Sequence, residues 1–197
     1  ATDNVIELTV AHLQTLPDAT CRLLGCAASR GHTCELALLA QASATDPSAL
    51  GPLLQPALDA GVIVLHEDHL RFAHDRITES LQTLYSSTQR QSWHARLGQL
   101  LAAQADRLPQ QLIAAVNLLN LGGDQLAPEW RARLPELNRQ AAAAAQRNNA
   151  FDLAATFYAK AASLGAADAW TQHHADTLAL HLDWAQAAFH AGQYPQA

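Results

Sequence analysis

The sequence VIVLHEDHLRFAHDRI, residues 62–77, is the segment on which the predicted fold of this chain depends most. Residues 62–65 are apolar and mostly β-branched, the next four residues are polar, and residues 70–72 alternate in hydropathy. This pattern predicts a two-stranded β-hairpin. No strand pattern occurs after Phe72, so the hairpin is the β part of a chain that otherwise has helical periodicity.

Four helices are predicted before the hairpin, because apolar residues recur there at helical spacing. The first carries Val5, Leu8, Leu13 and Leu16 and ends at Pro17. Asp18 caps the second helix, which Gly31 follows, and Thr33 opens the third. Asp46-Pro47 opens the fourth helix, which runs to Ala60. After the hairpin, the triplet His74-Asp75-Arg76 opens another helix, which Asp75 is predicted to cap. Helices, a hairpin and a further helix are the order of a winged-helix domain, which we predict over residues 1–85.

The rest of the chain, residues 86–197, is predicted to form helical hairpins at about 87–105, 109–120, 127–147, 150–164 and 168–190. An internal repeat supports this prediction, because residues 144–154 (AAQRNNAFDLA) match residues 187–197 (AAFHAGQYPQA) in the small pair, the turn residue, the aromatic residue and the final alanine. This resembles a tetratricopeptide (TPR)-type repeat with longer helices. Because the second copy stops shortly after its turn, we expect this region to be truncated and the native protein to continue.

Composition limits the function classes that are open to this chain. Its net charge is −6, and Lys160 is the single lysine among 12 basic residues, which disfavours broad binding to nucleic acid or anionic lipid. The sequence has no Gly-rich segment that ends in Gly-Lys-Ser/Thr, so it has no complete phosphate-binding loop. It also has no apolar run near the roughly 20 residues of a membrane span and no secretory signal pattern. We therefore expect a cytoplasmic protein without membrane contact.

Five groups of segments point to one family when they are taken in order along nearly the whole chain. They are LP at 16–17 with LLGCAA at 23–28, LDAGVI at 58–63, RFAHDRI at 71–77, RQSWHARLGQLL at 90–101 and AAVNLLNLG at 114–122. Together they resemble the region after the ATPase core in large bacterial signalling ATPases of the STAND type, which are often fused to serine/threonine or histidine kinases. The resemblance implies a winged-helix domain and the start of a helical repeat, in a parent protein that binds ATP or ADP. It implies no cofactor in the segment itself.

The resemblance also implies a role for His74, Asp75 and Arg76. His74 and Asp75 match the pair in the "MHD" motif of related NTPases, whose histidine touches the β-phosphate of ADP, while Ala73 departs from the usual apolar residue before that pair. An imidazole can donate to a phosphate on the adjacent nucleotide-binding domain of the same chain, and Arg76 could add a charge-assisted contact. The alternative interpretation is a capped helix start with a surface arginine.

Other residues with reactive side chains give weaker patterns. The histidines at 66, 69 and 74 with Asp68 and Asp75 match no metal-ligand spacing, so no metal site is predicted. We expect Cys21, Cys26 and Cys34 to be reduced, buried on apolar helix faces and not catalytic. His173 and His174 are predicted on one helix, where neighbours point apart. Four tryptophans are expected to anchor helix packing, and exposed ones would indicate partner binding: Trp93, Trp130, Trp170 and Trp184.

Three functional hypotheses follow. The leading one is a non-catalytic regulatory and scaffolding segment that couples the nucleotide state of the adjacent domain to a protein partner on the repeat surface. The alternative is a DNA-binding winged-helix transcriptional regulator with a helical effector-binding domain. Its candidate recognition helix, residues 33–42, has no Arg or Lys, which argues against reading of bases or neutralisation of phosphates. The third hypothesis, a stand-alone enzyme, would need a constellation of catalytic residues that the sequence does not contain.

Overall fold

The structure of this protein is a computed structural model that describes residues 13, 15–105, 111–166 and 168–193. Its elements are α1 (Asp18–Arg30), β1 (Thr33–Glu35), α2 (Leu36–Ser43), α3 (Pro47–Asp59), β2 (Ile63–His66), β3 (His69–Phe72), α4 (Asp75–Leu84), α5 (Ser87–Gln104), α6 (Leu112–Gly122), α7 (Pro128–Arg147), α8 (Phe151–Ser163), α9 (Ala169–Gln172) and α10 (His174–His190). The mostly helical structure with one small antiparallel sheet confirms the predicted fold class at that level. Val5 and Leu8 of the predicted first helix lie outside the described residues.

Packing divides the chain into two compact units. The first contains the described residues up to Leu100 together with Leu121–Gln125, and the second contains Leu101–Asn120 and the described residues from Leu126 onward. The division falls within α5 and within α6. The domain boundary predicted near residue 85 stays a prediction. Over the described ranges, no helix combines the length and the apolar character that crossing a membrane requires.

The sheet of the first unit has three strands, and not the two that were predicted. β3 lies in the middle and pairs antiparallel with both β1 and β2. The prediction that Thr33 opens a helix was therefore wrong, because Thr33 lies opposite Arg71 in the sheet and α2 begins only at Leu36. Segment 33–42, the candidate recognition helix, is thus divided between a strand and a helix. The backbone partners of β1 lie more than thirty residues further along the chain, where the local pattern gives no sign of them.

The core of the first unit is formed by the inward faces of its helices and of the sheet. Nearly inaccessible side chains come from all these elements: Leu24, Leu39, Leu54, Ile63, Leu70, Phe72, Ile77 and Leu81. Each such side chain contributes about 1.5–3 kcal/mol of hydrophobic stabilisation relative to an exposed one. In β3 the burial alternates as the sequence pattern predicted, whereas in β2 the apolar Val64 and Leu65 face outward.

Two predicted helix starts in the first half had different outcomes. Asp46 caps α3 as predicted, since its side chain accepts a hydrogen bond from the Ser48 N–H at 2.8 Å and Pro47 follows at the first helical position. Asp18 does not cap α1. Pro17, in an extended conformation, occupies the cap position, so Asp18 is already inside the first turn. There its carboxylate can interact with the helix dipole but cannot accept the capping hydrogen bond.

In the second unit, α8 packs against both α7 and α10. Small residues allow the close approach, because Ala141, Ala142 and Ala145 of α7 and Ala154 of α8 are completely buried. The alanine run at 141–145 therefore provides a close-packing helix face. Phe157 of α8 fills the remaining space and is also buried.

The helix ends of the two copies of the internal repeat share two hydrogen bonds. After α7, the N–H groups of Asn149 and Ala150 donate to the carbonyls of Gln146 and Ala145. After α10, the N–H groups of Gly192 and Gln193 donate to the carbonyls of Phe189 and Ala188, 43 residues further along. Asn149 and Gly192 both have a positive φ, of 58° and 71°, as the left-handed residue of such a helix end requires. The predicted turn equivalence is confirmed to residue 193, and residues 194–197 lie outside the described residues.

The helix predicted over 168–190 is interrupted at His173, which has φ −134° and ψ 46° and separates α9 from α10. The statement that His173 and His174 lie on one helix was therefore wrong. The short α9 folds against α10, because the ring of Trp170 stacks on His181 with a centroid distance of 5.1 Å. The Thr177 hydroxyl also lies within hydrogen-bond distance of the Ala169 carbonyl oxygen, at 3.1 Å. Neither contact belongs to the hydropathy period from which a continuous helix was predicted.

We expect Asn149→Ala to lower the free energy of unfolding by about 1 kcal/mol, because a Cβ without a compensating side-chain amide strains a left-handed residue. Asn149→Gly is the matched control and should leave stability unchanged or slightly higher, since glycine adopts this conformation freely. Urea unfolding followed by circular dichroism measures both variants. Equal stability of the two variants would contradict the left-handed turn.

Candidate functional site

The predicted site lies where β3 leads into α4. The helix begins at Asp75, and His74 is its cap, with an extended backbone and with its Nδ1 accepting a hydrogen bond from the Arg76 N–H at 3.2 Å. The prediction that Asp75 caps this helix was therefore wrong. A cap needs a residue with non-helical dihedral angles, and Asp75 already belongs to the first helical turn.

The capping contact determines which nitrogen of His74 is available. Because Nδ1 accepts a hydrogen bond, the proton of the neutral imidazole is on Nε2. Within the described ranges, no hydrogen bond to this Nε2 occurs, and the His74 side chain is exposed. The ring therefore presents an N–H donor to the surroundings at the positive end of the α4 dipole, which favours an anion.

Asp75 lies beside His32, a residue that sequence analysis had not selected. The Asp75 Oδ1 is 2.9 Å from the His32 Nδ1, and the two side chains are 82% and 38% exposed. The ring nitrogen makes no hydrogen bond of acceptable geometry despite this distance, so we interpret the pair as a charge contact that forms when His32 is protonated. At such exposure the contact contributes little to stability. His32 precedes β1 and comes close to Asp75 only because β1 pairs with β3.

The Arg76 side chain is also exposed, and no carboxylate among the described residues forms an ion pair with it. The structure thus places His74, Asp75 and Arg76 on the surface at one helix start. His66 and His69 are exposed on the hairpin. In the part of the chain that the structure describes, no group of three His, Cys, Asp or Glu side chains converges as a metal site would require. The helix start offers one imidazole donor and one guanidinium, which suits anion contact.

All three cysteines are free thiols, as predicted. Burial raises the pKa of Cys26 and of Cys34 to about 12, so both are protonated at neutral pH. Cys34 lies on β1 and not on a helix face, and Cys21 is only partly buried, which corrects two details of the prediction. Burial also raises the pKa of Cys21. Thiols that stay protonated are poor nucleophiles, so the buried Cys26 and Cys34 offer no reactive centre.

The tryptophans pack in different ways. Trp93 lies edge-on to Tyr85 with a centroid distance of 4.7 Å, and the Arg133 guanidinium lies 4.8 Å from the ring centre of Trp130. Trp93, Trp130 and Trp184 are partly buried, which agrees with packing roles. Trp170 is 47% exposed, so it is the exposed member that the prediction linked to partner binding.

The second unit has two surface features that could receive a partner. A groove of about 420 Å³ lies between α6 and α8, where Leu153 and Phe157 provide apolar walls and Lys160 provides a positive charge. On α10, Leu178, Leu182 and Phe189 are 42%, 61% and 62% exposed. Their spacing of four and seven residues places them on one helix face, which forms an apolar stripe.

Comparison of the chain with protein-family models, with curated proteins and with solved structures gave no match. The chemistry of the site follows from its own geometry. That geometry is a solvent-facing imidazole N–H at a helix start, with an arginine two residues later.

Proposed function

We propose that this chain is a non-catalytic regulatory and scaffolding segment of a bacterial STAND-type signalling ATPase or kinase in the cytoplasm. Its winged-helix part contacts the adjacent nucleotide-binding domain and responds to bound ATP or ADP. Its TPR-like repeats recognise a protein partner. The observation that carries the proposal is the exposed Nε2 donor of His74 at the N-terminus of α4, which is suited to a phosphate oxygen.

The order of elements in the first unit supports the winged-helix part of the proposal. A helix, a short strand, two helices and a hairpin follow one another, and the short strand pairs with the last hairpin strand. The loop between β2 and β3 takes the place of the wing. In this arrangement α4 begins directly after β3, so the position of His74 is fixed by the sheet.

The helix ends of the second unit support the TPR-like part. Two helix ends 43 residues apart have matching hydrogen bonds and left-handed residues, and each is preceded by small residues. Small residues and aromatic wedges are what stacked helical hairpins need for close approach. The apolar stripe on α10 and the groove beside α8 are the surfaces that we assign to the partner protein.

The proposed mechanism is a shift between two arrangements of the parent protein. A phosphate that accepts a hydrogen bond from His74 favours the arrangement in which the winged helix is docked on the nucleotide-binding domain. When the phosphate is lost or moves, the docked arrangement no longer gains this hydrogen bond. The undocked arrangement then becomes more populated. Arg76 adds attraction for the same anion. The segment itself performs no bond-making step.

The alternative, a DNA-binding regulator, gains no support from the helix that precedes the hairpin. α3 contains no Arg or Lys, and its exposed residues include Ser48, Gln55 and Asp59. Gln55 donates its amide N–H to the Asp59 carboxylate at 2.7 Å, which leaves a negative side chain on that face. A face of this kind repels the DNA backbone. We therefore propose contact with nucleotide on a neighbouring domain and not with a nucleic acid.

Nucleotide retention tests the role of His74. In the longer protein that includes the nucleotide-binding region, we expect His74→Ala and His74→Asn to release ADP at least about tenfold faster, because a hydrogen bond to a charged group is lost. His74→Asn is the informative variant, since asparagine keeps the helix cap but lacks the imidazole. Stopped-flow release of a fluorescent ADP analogue provides the measurement.

The two variants also separate the competing explanations. If His74→Asn retains ADP as the wild type does while His74→Ala is only less stable, the triplet is a helix cap and the proposed nucleotide contact is wrong. Arg71→Ala, an exposed arginine on β3, serves as the control for a simple loss of positive charge.

A further inference from the structure

The first unit contains a cavity of about 370 Å³ that is distinct from the His74 corner. Its walls come from α1, from α3, from the C-terminal end of α2 and from the first half of α5. None of His74, Asp75 and Arg76 lines it. A volume near the lower end of the range for ligand sites suits a small molecule.

Two arginines from different helices meet at this cavity, Arg22 of α1 and Arg96 of α5. No carboxylate of the described residues pairs with either guanidinium, and this includes Asp18, which lies one turn before Arg22 on α1. Two unneutralised arginines at one cavity are unexpected in a chain of net charge −6. Their convergence makes a local positive field with fork-shaped donors that match oxyanions.

Hydroxyl groups complete the polar wall. Ser92 of α5 has an exposed hydroxyl that makes no hydrogen bond with any described residue, so it is free to donate to a ligand. Ser43 and Thr45 lie 2.9 Å apart by their hydroxyl oxygens, at the end of α2. The carbonyls of Ala40 and Gln41 at this helix end accept hydrogen bonds from backbone N–H groups of residues 44 and 45. These carbonyl groups at the negative end of the α2 dipole therefore already have hydrogen-bond donors.

Trp93 forms the apolar part of the wall, and its position is fixed. Its ring is held edge-on by Tyr85, and it lies so close to Gly25 that a Cβ built there would be 2.8 Å from a ring carbon. A rigid aromatic surface beside two guanidinium groups suits a ligand that has both an apolar body and a charged end.

We propose that this cavity binds a small organic phosphate, with Arg22, Arg96 and Ser92 around the phosphoryl oxygens and Trp93 against the organic part. A phosphoryl group offers three acceptor oxygens and nearly two negative charges, which matches two guanidinium groups and a hydroxyl better than a singly charged carboxylate does. The cavity and the His74 site share no residue, so either can bind its ligand whether or not the other does.

Calorimetric titration of the 197-residue chain with phenyl phosphate at low ionic strength tests this site. We expect saturable binding that R22A and R96A each weaken by about tenfold or more, which is the expected effect of losing a hydrogen bond to a charged group. R71A removes the same charge from β3, outside the cavity, and should leave the affinity unchanged. Both cavity arginines are exposed, so the variants should fold, and circular dichroism confirms this.

Benzoate is the second probe, because it has the same ring and a single negative charge. It should bind more weakly than phenyl phosphate to the wild-type chain. Absence of saturable heat with millimolar phenyl phosphate, or equal weakening by R71A, would overturn the cavity as an anion site. Equal affinity for benzoate and phenyl phosphate would overturn its assignment to phosphates.

Discussion

Gly25→Ala is expected to destabilise the first unit by about 2 kcal/mol, although alanine favours a helix by up to about 1 kcal/mol over glycine. A Cβ at this position in α1 would lie 2.5 Å from Cε2 of Tyr85 and within 2.9 Å of two ring carbons of Trp93. The two rings are packed against each other at 79°, so neither can move away without loss of their mutual contact. Overpacking therefore outweighs the gain in helix propensity. Urea unfolding followed by circular dichroism measures the change.

Gly51→Ala is the matched control for this prediction. Gly51 also lies inside a helix, α3, but it is exposed and a Cβ there would meet nothing within 4 Å. This variant should gain up to about 1 kcal/mol from helix propensity alone. If Gly25→Ala is as stable as Gly51→Ala, the close packing of Tyr85 and Trp93 on α1 is wrong.

The second large effect concerns thiol reactivity. At pH 8 we expect the thiolate fractions of Cys26 and Cys34 to be about a thousandfold lower than that of an unperturbed thiol, because burial raises the pKa of each from 9.0 to about 12. Both are also inaccessible, with 0% and 1% of their surface exposed. A disulfide reagent such as 5,5′-dithiobis(2-nitrobenzoate) should therefore label one cysteine of the native chain readily, the partly exposed Cys21, and all three in denaturant.

The labelling experiment has its own control in Cys21→Ser, which should remove the fast native phase and leave two slow thiols. The rate for Cys26 and Cys34 should rise with pH, since the reactive thiolate becomes more populated as pH approaches the raised pKa. If all three thiols of the native chain react at the fast rate, the core around β1 and α1 is accessible to the reagent.

Sequence patterns predicted the local features of this structure well where the signal and its partner are close along the chain. Pairs of this kind are Asp46 with Ser48, the two hairpin strands on either side of residues 67–68, and Asn149 with Gln146. The cap of α4 shows a local feature that the sequence pattern did not predict correctly. Asp75 is the cap that residue type favours, but the helix starts one residue earlier than a cap at Asp75 requires, so His74 takes the cap position.

Local patterns were enough to specify helices with one hairpin, a helix start at Asp46-Pro47, and equivalent helix ends near Asn149 and Gly192. Contacts between distant parts of the chain establish that residues 33–35 form a strand, that His32 lies beside Asp75, and that Arg22 and Arg96 face one cavity. The difference comes from the separation along the chain between the residues that interact. Periodicity and caps reflect hydrogen bonds between residues a few positions apart, whereas strand pairing and cavity walls join residues that are dozens of positions apart.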